Sequence, residues 1–182
     1  VTVGDEATLR TAFADGVETS ISLSADITLS DCGTGALVRS GATPVVLDGG
    51  GHTLTQSCDT PLVSGTGVDV RFDDIVLVQQ GSETAIDVTG SVALTGSSLT
   101  GAGAGSGIVA TDTVSLQDSQ LANFALDGVT TAGAVTLRSS RVESIGNNAV
   151  SSSGGDVSVT DSQVRDFTLD GVSGAAVEVV DS

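Results

Sequence analysis

"DSQLANFALDGV", Asp118 to Val129, returns 43 residues later as "DSQVRDFTLDGV", Asp161 to Val172, with eight of the twelve positions identical. Between the copies lies "ESIGNNAV", Glu143 to Val150, which keeps apolar Ile145 and Val150 in step with the copies but replaces both of their Asp-Gly turns. The offset is two units of about 22 residues. What repeats is an apolar set, Leu121/Val164, Phe124/Phe167 and Val129/Val172, together with turn residues.

Outward from this stretch, the unit extends along the whole chain. An apolar pair at i and i+2 recurs at Val1/Val3, Ile21/Leu23, Val45/Leu47, Val70/Phe72, Val92/Leu94, Val114/Leu116, Val135/Leu137, Val157/Val159 and Val177/Val179. Steps between first members are 20, 24, 25, 22, 22, 21, 22 and 20 residues. That spacing puts both side chains on one face of a strand. A second row reads Leu37, Leu62, Ile86, Ile108, Val129, Val150 and Val172, usually preceded by a small residue. A third reads Leu29, Leu54, Leu77, Leu99, Leu121, Val142 and Val164; a fourth reads Cys32, Ala102, Phe124, Ile145 and Phe167. Asp, Ser and Gly follow the first pair, as in Gly96-Ser97, Asp118-Ser119 and Asp161-Ser162, and these residues bend a chain locally.

Four inward rows at a period near 22 predict an all-β solenoid, a coil of three short strands in which each strand position becomes a parallel sheet. Nine rungs at ~4.8 Å make a rod about 40 Å long. An antiparallel sandwich is the competing arrangement. It needs hairpin turns such as Asn-Gly between alternating strands, and no Asn-Gly pair occurs. Residues 1–20 read as an N-terminal strand and capping α-helix, and 21–182 as the coils of a single domain whose last coil is incomplete. In "GDEATLRTAFADG", Asp5 is placed as the N-cap, Leu9 and Phe13 share the apolar face, and Gly16 ends the helix. Such a helix covers the open first coil. The chain stops on the first strand of a new coil, Val177 to Ser182, so we expect either continuation in a longer parent or self-association there.

Composition supports a stacked aliphatic core and narrows the partners. Among 182 residues there are 24 Gly, four Phe and no Trp, Tyr or Met. A net charge of -17, with six Arg and no Lys, argues against nucleic acid and against anionic membranes. No apolar run approaches the ~20 residues of a membrane span, so no membrane insertion is expected within this segment.

These features resemble the right-handed parallel β-helix proteins of the pectate-lyase-like superfamily. "VTVGDEATLRTAFADG" followed by "ISLSADITLS" is similar to the N-terminal strand, cap and first coil of that group. "VVLDGGGHTLTQ", Val45 to Gln56, is similar to its second-coil phrase. The likeness covers the whole chain and implies right-handed coils. It is weak for activity, because the superfamily holds lyases, hydrolases, tailspikes, adhesins and proteins with no known chemistry.

The chemical candidates are few. Cys32 and Cys58 fall on adjacent coils near one row, close enough for a disulfide; two buried free thiols are the alternative. A bridge implies an oxidising compartment, hence an extracellular or cell-surface location. His52, in "GGGHT", reads as a turn residue. "GAGAGSG", Gly101 to Gly107, reads as a tight turn, since no Lys follows it. Asp48 and Asp73 should be outward neighbours on adjacent coils. Such a pair suits Ca²⁺, or acid and base in glycoside hydrolysis, or simply two solvated carboxylates beside Arg71. Asp127 and Asp170 lie two coils apart with Asn148 between them, which reads as charge spacing. Glu143 and Arg165 should pair across strands. Arg138 and Arg141 have no Asp cluster of a Ca²⁺-dependent lyase in the adjacent coils, where Gln117, Gln120, Thr160 and Gln163 flank them, and no aromatic platform for sugar exists. The expectation is a non-catalytic extracellular or surface structural segment: a spacer, adhesin stalk or filament-forming assembly unit with no cofactor. A polysaccharide lyase or glycoside hydrolase, or a Ca²⁺-stabilised carbohydrate-binding module, is the alternative.

Overall fold

A computed structural model describes residues 1–103 and 105–182. The chain forms a parallel β-solenoid of about eight coils, near 22 residues each, with one short N-terminal helix. Nine strands, from Thr2–Val3 to Val177–Val180, build the first sheet; seven, from Ile27–Leu29 to Gln163–Phe167, the second; and seven, from Leu37–Ser40 to Val172–Ser173, the third. All strand pairs are parallel, each strand bonding to its equivalents one coil away.

One coil shows how sequence makes the path. Val114–Gln117 alternates inward Val114 and Leu116 with outward Ser115 and Gln117. Asp118 then turns the chain with a left-handed backbone (φ 50°), a conformation that Asp, Asn and Gly tolerate best. Across the coils Asp74, Gly96, Ser139, Asp161 and Asp181 take the same conformation at this corner. In Gln120–Phe124 the left-handed Asn123 (φ 64°) adds a residue to the alternation, so Leu121 and Phe124 both point inward despite a spacing of three. Ser144 and Asp166 do the same in the following coils. Val129–Thr131 completes the coil.

The bore is filled with aliphatic stacks. Leu47, Phe72, Leu94, Leu116 and Leu137 are fully buried in consecutive register, as are Leu54, Leu77, Leu99, Leu121 and Val142. Each fully buried Leu contributes about 1.5–3 kcal/mol relative to exposure. Behind the corner runs a ladder of serines, buried from Ser97 to Ser162 and ending at exposed Ser182. The backbone N–H groups of Ile75, Ser97, Ser119, Ser140 and Ser162 donate to Oγ of Ser97, Ser119, Ser140, Ser162 and Ser182 at 3.0–3.2 Å. Each of those hydroxyls donates in turn to the carbonyl two residues back, at 2.7–2.8 Å.

Three row assignments are corrected. Between the first two full coils the register is shifted by two residues: Ile21 lies beside Leu47 and Ile27 beside Leu54. A shift of two keeps every side chain on its face, so apolar alternation alone does not select between the registers. Val63, not Leu62, stacks between Leu37 and Ile86; both are buried. Cys32 and Ala102 are exposed rather than inward. Their row is occupied by Leu29, Gln56 and Gln79, and then by Gly101, over which the Phe124 ring lies so closely that a Cβ would meet it at 2.7 Å. Within "GAGAGSG", Ala104 lies outside the described residues; Gly103 and Gly105 are left-handed, at φ 86° and 69°.

Candidate functional site

The N-terminal cap is a locked assembly. Helix α1, Glu6–Ala14, is N-capped by Asp5, whose Oδ1 accepts the Thr8 N–H at 2.9 Å. That backbone bond holds the Asp5 carboxyl below its usual pKa. Leu9 and Phe13 are fully buried over the first coil. Burial raises the Glu6 pKa, but N–H groups of Ser30 and Asp31 and the Arg10 guanidinium outweigh it, and the net shift is downward. Arg10 also donates to the carbonyls of Gly35 and Ala36, so the Glu6–Arg10 pair clamps the 30–36 turn. Cys32 of that turn is disulfide-bonded to Cys58, with Cα atoms 5.4 Å apart.

Sequence reasoning missed Arg39. Only 1 % exposed, it donates to the carbonyls of Phe13 (3.0 Å), Glu18 (2.7 Å) and Thr43 (3.4 Å). Its charge therefore sits at the negative C-terminal end of α1. The available signal was a charged residue two places after inward Leu37, where the other coils carry Gly65, Val88 and Ala110.

Asp48 and Asp73 are register partners on the outer face of the first sheet. Each is held within its own coil. Asp48 Oδ1 accepts the Gly50 N–H at 3.1 Å, and Arg71 Nε donates to Asp73 Oδ1 at 2.7 Å. No group of three or more His, Cys, Asp or Glu suited to a metal occurs among the described residues. His52 Nδ1 lies 3.3 Å from Asp26 Oδ1, which also accepts the Thr53 N–H at 2.8 Å. That backbone bond first, and His52 second, hold Asp26 below its usual pKa. The pair joins adjacent coils at a turn. Asn148 stands between Asp127 and Asp170 and bonds to both: it donates to Asp127 Oδ1 through N (3.1 Å) and Nδ2 (3.0 Å), and its Oδ1 accepts the Asp170 N–H (3.2 Å).

The structure also creates a concavity that no motif announced. A groove of about 460 Å³ runs along the corner between the first and second sheets. Its floor is the serine ladder. One wall carries the left-handed corner residues Asp74, Gly96, Asp118, Ser139 and Asp161; the other carries Val76, Ser98, Gln120, Arg141 and Gln163. Arg141 thus shares a groove with Asp118 and Asp161 of the adjacent coils, which stand two coils from each other and form no metal cluster. Glu143 is engaged by Arg165 (Nε–Oε2, 2.8 Å) and by Gln120 (2.7 Å), and the Arg165 bond holds its carboxyl below the usual pKa.

No family model, curated protein or solved structure matches the chain. No helix among the described residues is long and apolar enough to cross a membrane.

Proposed function

We propose that the chain is a non-catalytic, extracellular or cell-surface segment of the pectate-lyase-like β-helix type, serving as a rigid spacer or adhesin stalk. The carrying observation is the engagement of Asp48 and Asp73, the best-placed carboxylate pair, by Gly50 and Arg71 of their own coils. Donors of the same coil take up that pair, and no third His, Cys, Asp or Glu joins it among the described residues. A filled aliphatic bore and short turns support a mechanical role, and the Cys32–Cys58 bridge fits an oxidising compartment. Self-association would use the last coil, where Phe167, Val177 and Val179 are partly exposed. Because α1 covers the first coil, a head-to-tail filament would have to displace that helix, so tail-to-tail pairing is the favoured form of self-association.

The test is a polysaccharide-cleavage screen, with and without Ca²⁺, on wild type and on the Asp48→Ala/Asp73→Ala double variant. We expect no turnover by either protein and no change in melting temperature with Ca²⁺. Cleavage by wild type that the double variant loses would establish the enzyme reading instead.

A further inference from the structure

At the capped end of the rod the first sheet ends differently from the other two. Helix α1 packs on Ile27–Leu29 and Leu37–Ser40, the edge strands of the second and third sheets. Thr2–Val3, the edge strand of the first sheet, pairs with Ser20–Leu23 on one side and with no strand on the other. The N–H groups of Ser22 and Ser24 donate to the carbonyls of Val1 (2.8 Å) and Val3 (2.9 Å). Backbone groups alternate in direction along a strand, so the N–H and C=O of Thr2 face the open edge. Such an edge is a template for one more strand. Beside it lies a groove of about 440 Å³. Buried Val3 and Ala12 line it, together with the exposed side chains of Val1, Ala7, Thr8 and Thr11.

Backbone geometry and charge select the occupant. One donor and one acceptor facing the same way from Thr2 match the backbone of an extended polypeptide. Side chains of an added strand alternate between its faces, so apolar residues at i and i+2 continue the Val1/Val3 row into the groove. Asp15 and Glu18 also line the groove. The Val1 ammonium lies 3.8 Å from Glu18, and Arg39 sits near Asp15 but is buried, with its donors on the carbonyls of Phe13, Glu18 and Thr43. Two carboxylates at the solvent side of the groove, on a chain of net charge -17, favour a basic residue in the occupant. A second copy offers Val177–Val180, whose apolar pair suits the row. Its Glu178 and the adjacent Asp181 would bring like charge towards Asp15 and Glu18, which disfavours it.

We propose that the groove between α1 and Thr2–Val3 receives an extended segment of a partner protein. The segment adds one strand to the first sheet through Thr2, sets two apolar side chains at i and i+2 against Val3 and Ala12, and places a Lys or Arg beside Asp15 and Glu18. Helix α1 stays in place, because the new strand lies on the outer edge and leaves Leu9 and Phe13 buried over the first coil. The open edge is only a few residues long, so backbone pairing supplies few bonds and the groove supplies the rest of the affinity. The site goes beyond the stalk reading and gives the capped end of the rod a docking point.

The experiment is an NMR titration of the ¹⁵N-labelled 182-residue chain with the peptide acetyl-RVTVTG-amide. A saturable shift is expected at the amides of Thr2, Val3, Ala7, Thr8 and Thr11. The peptides acetyl-RVVTTG-amide, in which the alternation is broken, and acetyl-EVTVTG-amide, in which the charge is reversed, should each bind about fivefold more weakly or worse. Methylating alternate backbone nitrogens of the first peptide isolates strand addition: one set, on the valines or on the threonines, should abolish binding while the other leaves it intact. Ala7→Gln and Thr11→Gln put a longer side chain at the groove and should weaken binding, whereas Val179→Asp at the far end should not. Unmoved amides of Asp118 and Asp161 report that each variant is folded. Absence of a saturable shift overturns the proposal, as does equal affinity for the three peptides, an equal effect of both methylation sets, or unaltered affinity in both groove variants. Shifts at the same amides that depend on protein concentration without peptide would seat a second copy there and also overturn it. None of these failures touches the stalk reading, which the polysaccharide screen tests separately.

Discussion

At the residue scale, buried polar groups govern stability more sharply than any single aliphatic side chain. Arg39 is a buried cation with no carboxylate in contact among the described residues, stabilised by three carbonyls. Arg39→Ala leaves those carbonyls unpaired and opens a cavity, and should cost about 2–4 kcal/mol by denaturant unfolding. Arg39→Met, which fills the space, should recover only the packing part. Ser140→Ala orphans the buried Ser119 N–H and should cost about 1–3 kcal/mol, whereas Ser115→Ala, on the outer face, should stay within about 0.5 kcal/mol. Gln56 and Gln79 are two further buried polar residues. Gln56 is bonded to Thr60, Pro61 and Cys58, while Gln79 Oε1 meets no donor among the described residues.

At the element scale, helix α1 is held by apolar contact and by carboxylate bonds to the 30–36 turn beneath it, a turn that the disulfide ties to Cys58. Glu6, Asp15 and Asp31 all have pKa values below their ordinary 4.5 and 3.8. Carboxyls that titrate lower when folded stabilise fully above their unfolded pKa, and that stability is lost as pH falls through the lower folded values. Melting temperature should therefore be flat at neutral pH and drop below about pH 4. Glu6→Gln should reduce the size of that drop. The Cys32–Cys58 bridge spans a separation of 26 residues and contributes about 3 kcal/mol through the unfolded chain. Reduction should lower the melting temperature. Hydrogen exchange should then show protection lost first in α1 and residues 30–36, because the clamped turn is freed; uniform loss along the rod would contradict this account of the cap.

At the scale of the whole molecule, like charge and nearest-neighbour stacking dominate. A net charge of -17 on a thin rod repels itself, and added salt screens that repulsion. Raising NaCl from about 10 mM to about 150 mM should raise the melting temperature, opposite to a fold held by surface ion pairs. Each coil is stabilised chiefly by its two neighbours. A bore-disrupting change such as Leu116→Asp should therefore loosen nearby coils before distant ones, as site-resolved hydrogen exchange would report.

The rod itself was legible in the chain, because a stacked bore demands the same apolar residue at the same place in every turn, and Leu99, Leu121 and Val142 meet that demand openly. The cap was legible for a similar reason: Asp5, Leu9 and Phe13 interrupt the strand rhythm with helical spacing. Register between the first coils was not, since a shift of two residues preserves every face. Arg39, the serine ladder and the corner groove were decided only by tertiary structure. Each depends on residues from different coils arriving at one point, and a repeat read along a line carries the period of that meeting but not which side chains face one another across it.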